Sequence, residues 1–350
     1  MAVALVTGFP LDVACRTALE LAAGGDHVYL LARAKFAVDA SELSRRAAAD
    51  TNSGGRIDVV EGDIVSLDLG LTGSQVRLLH AELDEVHHVA AITYLGIAGA
   101  RMRSVNVEGV REVLEFALGA RRLRRVSLWS TAFVAGDRSG VVRESELLVG
   151  QHFRNDYEAT KAEAEQLARA AMRHLPITVV RPSIVIGDSV TGATSRLDGP
   201  YLLIKAIVRS PPGRAIPLPG RGDFALHLVP VDFAVRAAIH LARHPDAVGG
   251  TFHLVDDRPL TARAFFGAVA DAAGRPRPHV LLPARLARAV LNLPGLRSRV
   301  RSERTFIEWF DTDVRFDDRG ARALLQSSGI VCPAVPAYVD ALVRHVRERT

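Results

Sequence analysis

The sequence predicts an α/β fold, a parallel sheet covered by helices on both faces and joined to a smaller, mostly helical cap. Three observations carry this. The strands of the N-terminal half read as near-continuous Val, Ile and Leu runs, the pattern of strands buried on both faces. Helical patterns alternate with them. After about residue 186 the chain changes character and becomes rich in loops, Pro and Gly.

In order, AVALV (2–6) is the first apolar run, and CRTALELAAG (15–24) has helical periodicity. HVYLLAR (27–33), RIDVVEGD (56–63) and DEVHHVAA (84–91) follow as strands. SVNVEGVREVLEFALGA (104–120) is a long helix, RRVSLWST (124–131) a fifth strand, YEATKAEAEQLARAAMRH (157–174) a helix of strong formers and ITVVRPS (177–183) another strand. Right-handed crossovers wind such strands into a Rossmann-type doubly wound parallel sheet. Segment 187–226 is loop-rich, while HLVPVDFAVRAAIHLARH (227–244) and TFHLV (251–255) read as a helix and strand returning to the sheet. The remainder is largely helical. The expected division is a cofactor domain, 1–186 plus 227–256, and a substrate cap, 187–226 plus 257–350, over the carboxyl ends of the strands.

Of 350 residues, 48% are hydrophobic and 24% charged, which fits a globular chain with a sizeable core. No apolar run reaches the ~18–20 residues that cross a bilayer. The N-terminus enters a strand without a basic leader, so cytoplasmic residence is expected. Cys15 and Cys332 read as small apolar residues, and His87, His88, His152 and His227 have no metal spacing, so no metal is expected. The formal charge is +5, and 44 basic residues include only three lysines, Lys35, Lys161 and Lys205. The densest basic run, ARRLRRV (120–126), ends a helix and complements its dipole. Without a basic stripe interleaved with aromatics, no nucleic-acid partner is expected.

VTGFPLDVACR (6–16) joins the first strand to a helix and reads as a dinucleotide turn, with Thr7, Gly8, Pro10, Leu11 and Asp12 against the phosphates. Gly8 keeps the tight-turn role, and Ala14 adds one methyl where close helix packing needs a small residue. Leu11 is the departure: a positive φ there would cost about 1–2 kcal/mol. Asp12 puts a carboxylate near the phosphates unless it caps the helix. Arg33 closes the second strand where NAD-binding chains carry an acid, so it suits the 2′-phosphate of NADP(H), reinforced by Lys35. Asp63 and Ile64 are expected near the adenine, and the small Ala90 and Ala91 leave room for the cofactor.

Tyr157 and Lys161 stand four apart in NDYEATKAEAE (155–165), on one helical face. A phenol at its reference pKa of about 10 transfers protons poorly at neutral pH. A neighbouring ammonium is expected to lower that pKa and to hold the ribose. Ser130 and Thr131 end the fifth strand, where a hydroxyl would orient a substrate oxygen.

With these motifs in place, residues 2–256 resemble the extended short-chain dehydrogenase/reductase family, whose Ser/Thr, Tyr and Lys set Thr131, Tyr157 and Lys161 match. Within it, 130–147, 153–165, 179–192 and 198–207 resemble the fatty acyl reductase and thioester reductase branch. The resemblance implies NADPH-dependent reduction of an acyl thioester, on CoA or a carrier protein, to aldehyde or alcohol. It places Pro182 and Ile184 beside the cofactor. Arg154, Arg196 and Arg214 are candidates for a CoA or phosphopantetheine phosphate. Apolar stretches 200–208, 281–296 and 306–310 are candidates for the acyl chain. Two other readings stand open: an epimerase or a ketone or aldehyde reductase of the same fold, and a non-catalytic NADP-sensing module.

Overall fold

A computed structural model describes residues 1–50, 54–94, 97–279, 281–282 and 313–350. Seven strands form the main sheet: β1 (Val3–Thr7), β2 (His27–Ala32), β3 (Arg56–Glu61), β4 (Glu85–His88), β5 (Arg125–Trp129), β6 (Ile177–Pro182) and β7 (Thr251–Leu254). All neighbours are parallel, in the order 3-2-1-4-5-6-7. The order reverses at β1, which pairs with β2 on one side and β4 on the other (Ala4 opposite Val28 and Glu85). A crevice therefore opens above the carboxyl ends of β1 and β4, where such sheets bind ligands.

Alternation along each strand packs both faces of the sheet. Ala4, Val6, Val28 and Leu30 pack on one face with α1 (Asp12–Ala23) and a returning helix, while Leu5, Tyr29 and Leu31 pack on the other. Three crossover helices, α2 (Ala37–Asp50), α3 (Gly73–Glu82) and α4 (Gly99–Arg103), precede α5 (Gly109–Leu118); a π turn, Ser104–Glu108, joins the last two. Helix α6 (Asp156–Ala171) covers the same face as α5. Neither α2 nor α3 stands out in the sequence, because their described buried faces hold only Ala40 and Ala47, and only Leu79. Small apolar side chains leave little amphipathic signal.

The second core joins α7 (Tyr201–Arg209), α9 (Ala262–Ala273) and α11 (Val339–Glu348) through Ile204, Phe265, Phe266 and Leu342. Between them in sequence, α8 (Val231–Arg243) returns to the sheet and packs with α1. One segment departs from the expected division. Ala321 and Leu325 of α10 (Arg319–Leu325) join the α1/α8 core rather than the second one. Glu144 holds that helix in place by accepting the N–H groups of Gly320 (2.9 Å) and Ala321 (3.1 Å). Most of 281–296 and all of 306–310 lie outside the described residues. Among the described residues no helix is long and apolar enough to cross a membrane.

Candidate active site

The turn after β1 is closed by the Leu11 N–H, which donates to the Gly8 carbonyl at 2.8 Å. Gly8 sits at φ +111°, and a Cβ there would lie 2.8 Å from the Ala90 nitrogen, so only glycine fits. Leu11 is different: at φ −62° and ψ 136° it is extended. The strain expected from a missing glycine is absent, because this turn keeps position 11 out of the left-handed region, and the side chain packs on the α1/α8 core. Asp12 does not cap α1. It pairs with Arg16 at 3.3 Å, which also reaches Asp188 at 2.9 Å, and burial raises its pKa. With no side-chain cap, the first N–H groups of α1 are open to an anion.

At the end of β2, the Arg33 guanidinium lies 5.4 Å and the Lys35 ammonium 4.7 Å from the centre of the Phe36 ring. Phe36 in turn meets Phe9 of the turn edge-on at 6.3 Å. The two cations are thus anchored to the dinucleotide turn through two phenylalanines that nothing in the sequence pattern singles out. Thr7 faces inward, its Oγ1 2.9 Å from His88 Nδ1. The Ile64 side chain is buried towards α5, where Gly109 makes room for it. The Asp63 carboxylate accepts the Val65 N–H at 3.3 Å.

Helix α6 brings Tyr157 and Lys161 to the crevice. Its N-cap Asn155 accepts the Glu158 N–H at 2.9 Å, which fixes where the helix starts and hence which side chains face the crevice. The Tyr157 phenol stands against the Thr131 hydroxyl, which donates to the Pro182 carbonyl at 3.5 Å. Burial pushes its phenol up to about 12, with the Thr131 contact pulling the other way. Lys161 donates to the Trp129 carbonyl, and burial lowers its ammonium to about 8 while Glu165 opposes that drop. The expected lowering of the phenol by Lys161 is therefore overturned: desolvation dominates, and the phenol stays protonated at neutral pH. Ser130 is corrected too. Ser130 lines the crevice, but its hydroxyl donates to Glu165 at 2.7 Å, and Glu165 is paired with the fully buried Arg181 at 2.6 Å, so that proton is already engaged.

These groups border a cavity of about 560 Å³. Of the expected residues, Pro10, Leu11, Asp12 and Ala91 line its cofactor end. Thr131, Tyr157, Lys161, Pro182 and Ile184 line the remainder. Thr7, Gly8, Arg33, Asp63, Ile64 and Ala90 are not on its walls; Gly8 and Ala90 shape it through their contact. Two further wall groups went unpredicted. Trp129 Nε1 and Ser183 Oγ are buried with no hydrogen-bond partner among the described residues. Orphaned polar atoms facing a cavity fit a polar ligand such as a nicotinamide nucleotide. Only their burial reveals them, and the sequence carries no such signal.

The three arginines separate. Arg196 lines the cavity, stacks on Tyr94 at 5.8 Å and pairs with Asp198 at 2.5 Å. Arg154 is held by the buried Glu158 at 3.1 Å, and Arg214 is exposed away from the walls. In the stretch 200–208 only Pro200 and Tyr201 reach the cavity, while Ile204, Ile207 and Val208 enter the second core. No cluster of three or more His, Cys, Asp or Glu suited to a metal occurs among the described residues.

Comparisons with known proteins agree with this geometry. The NAD-binding family described as "Male sterility protein" matches residues 7–238. A linear gramicidin synthase chain of Brevibacillus parabrevis is 29% identical over 232 residues, 65% of this chain and 4% of that protein. Glycine betaine reductase ATRR of Emericella nidulans is 31% identical over 217 residues, 60% of this chain and 16% of that protein. The chain thus spans a small part of these relatives' length. The crystal structure of the terminal R domain from the myxalamid PKS-NRPS biosynthetic pathway superposes with a TM-score of 0.82 and 26% identity, covering 100% of this chain and 91% of that one.

Proposed function

The chain belongs to the male sterility protein family of NAD-binding domains, within the extended short-chain dehydrogenases/reductases, and from that premise we propose that it is an NADPH-dependent reductase of acyl thioesters. The observation that carries the proposal is the Thr131–Tyr157 hydroxyl pair, with Lys161 one helical turn on, in a cavity that begins at the dinucleotide turn. Gly8–Asp12 and Lys161 would hold a nicotinamide dinucleotide, which would supply the hydride. The chain's own groups do the rest. Thr131 and Tyr157 hold the carbonyl oxygen, and Tyr157, protonated at neutral pH, donates its proton as negative charge develops there. Lys161 keeps a positive charge beside the site below about pH 8, and its tie to Trp129 fixes its position. Reduction of a thioester in this way gives a hemithioacetal, which collapses to aldehyde and thiol. A second round would give the alcohol.

The Arg33–Lys35 pair beside Phe36 supports NADPH over NADH, since only the former carries a 2′-phosphate. Likeness over its whole length to a terminal R domain of a PKS-NRPS pathway supports a carrier-bound substrate. Arg196 at the wall is then the cation best placed for a phosphopantetheine or CoA phosphate. The α7/α9/α11 core supplies the substrate side. The test follows reduced-nicotinamide absorbance with panels of acyl-CoA, carrier-bound acyl, aldehyde and ketone substrates, wild type against Tyr157→Phe. Phenol-dependent turnover of thioesters supports the reading; turnover of ketones alone, or binding without turnover, overturns it.

A further inference from the structure

Beside the main cavity lies a second, of about 30 Å³, and Phe133 and Ile184 line both. Its remaining walls include Arg154, Phe224, Leu226, His227, Val314 and Phe316. It adjoins the reacting groups: Phe133 stands two residues after Thr131 and its N–H donates to the Thr131 hydroxyl at 3.3 Å, while Arg154 stands three residues before Tyr157. Phe133 meets Phe316 edge-on at 6.4 Å, and Phe316 meets the His227 ring at 5.0 Å. Among the described residues its lining is apolar except for Arg154 and His227. His227 is 6% exposed, and its Nδ1 is buried without a hydrogen-bond partner among the described residues.

The geometry fixes what that nitrogen can accept. Nε2 lies 3.1 Å from the Val314 carbonyl oxygen, which can only accept, so Nε2 carries the proton. In the neutral ring Nδ1 is then a bare acceptor, and burial lowers the ring's pKa from its ordinary value. A lone acceptor in an apolar pocket is costly until a donor arrives. An ammonium would lose its hydration in so small and largely apolar a pocket, which leaves a neutral donor.

We propose that this pocket is a specificity subsite for a hydroxyl or amide N–H on the acyl group of the substrate, recognised by His227 Nδ1. The assignment rests on the thioester reductase reading and narrows it, from acyl chains in general to short ones bearing a polar donor close to the carbonyl. The volume admits one such group and little more, since a single water fills roughly 10–15 Å³ by this measure.

The test compares N-acetylcysteamine thioesters of butyrate with those of β- and γ-hydroxybutyrate, by calorimetric binding and by turnover with NADPH. Wild type should favour one hydroxylated ester by roughly 10–100-fold in affinity and in kcat/KM. That ratio should collapse to about one in His227→Phe and persist in His227→Gln, which keeps an acceptor. Should His227→Phe not fold, the wild-type ratio and the Gln variant decide. Equal wild-type affinities for all three esters mean that only water fills the pocket, and that overturns the subsite, as does a preference surviving in His227→Phe. A binding preference without turnover of any ester overturns thioester reduction and leaves the subsite standing.

Discussion

Burial acts in opposite directions on Tyr157 and Lys161, and the pH dependence of the enzyme follows from the difference. It raises the phenol to about 12, so the proton that the proposed mechanism takes from Tyr157 is in place throughout the neutral range. It lowers the ammonium to about 8, so positive charge is present below that pH and lost above it. Activity should therefore fall as pH rises through about 8, and Lys161→Arg, whose charge does not titrate, should abolish that alkaline limb. A limb unchanged in the Arg variant would assign it to another group. Tyr157→Phe should cost roughly 10²–10⁴-fold in kcat while NADPH affinity stays within about twofold, measured by turnover and fluorescence titration. Leu11 leads to a further expectation. Since it is extended and packs on the core, Leu11→Gly should lose about 1–2 kcal/mol of stability through lost burial and chain freedom, and should not tighten NADPH. The pairing of Tyr157 with Lys161 was legible because helical spacing alone puts them together. The engagement of Ser130 was not, because its partner Glu165 lies on another element and is fixed by Arg181 from a third.

At the level of elements, α6 presents a stripe at four-residue spacing: Tyr157, Lys161, Glu165, Arg169. Its chemistry is tied to the sheet through Glu165, which meets Arg181 of β6, Ser130 after β5 and Arg169 on its own helix. Replacing one partner of a buried ion pair leaves the other charge unsatisfied, at about 3–5 kcal/mol. Glu165→Gln should lower stability by an amount of that order in denaturant titrations. Glu165 also holds the Lys161 ammonium up, so the same variant should move the alkaline limb below pH 8. Loss of stability without movement of the limb would make Glu165 a structural anchor only. The strands were legible as elements because β1, β2 and β6 are buried on both faces and read as continuous apolar runs. Helices α2 and α3 were not, since alanines and a single leucine suffice to seat them.

For the whole molecule, the order reversal at β1 brings Pro10–Asp12 after β1, Thr131 after β5 and Tyr157 and Lys161 of α6 around one crevice, although they lie far apart in sequence. That convergence was legible as soon as the sheet was, because ligand sites in doubly wound sheets sit at the switch point. The second core beside it was legible only as a change of composition, and the contact of His227 with Val314, next to the crevice, depends on chain returning from the far C-terminal third. A ligand that binds only the folded chain stabilises all of it. At a concentration of 100 times Kd the gain is about 2.7 kcal/mol. With an unfolding entropy of ~2.1 cal/mol/K per residue, a chain of 350 residues should melt roughly 3–4 °C higher. NADPH should produce that shift in thermal denaturation. NADH at the same concentration lacks the phosphate that Arg33 and Lys35 would meet, so its shift should be smaller by roughly 2 °C for each tenfold loss of affinity. Arg33→Ala should bring the two cofactors together by weakening NADPH alone. If NADH stabilises the wild type as much as NADPH does, the basic corner at Phe36 reads no phosphate, and selection between the cofactors lies elsewhere in the chain.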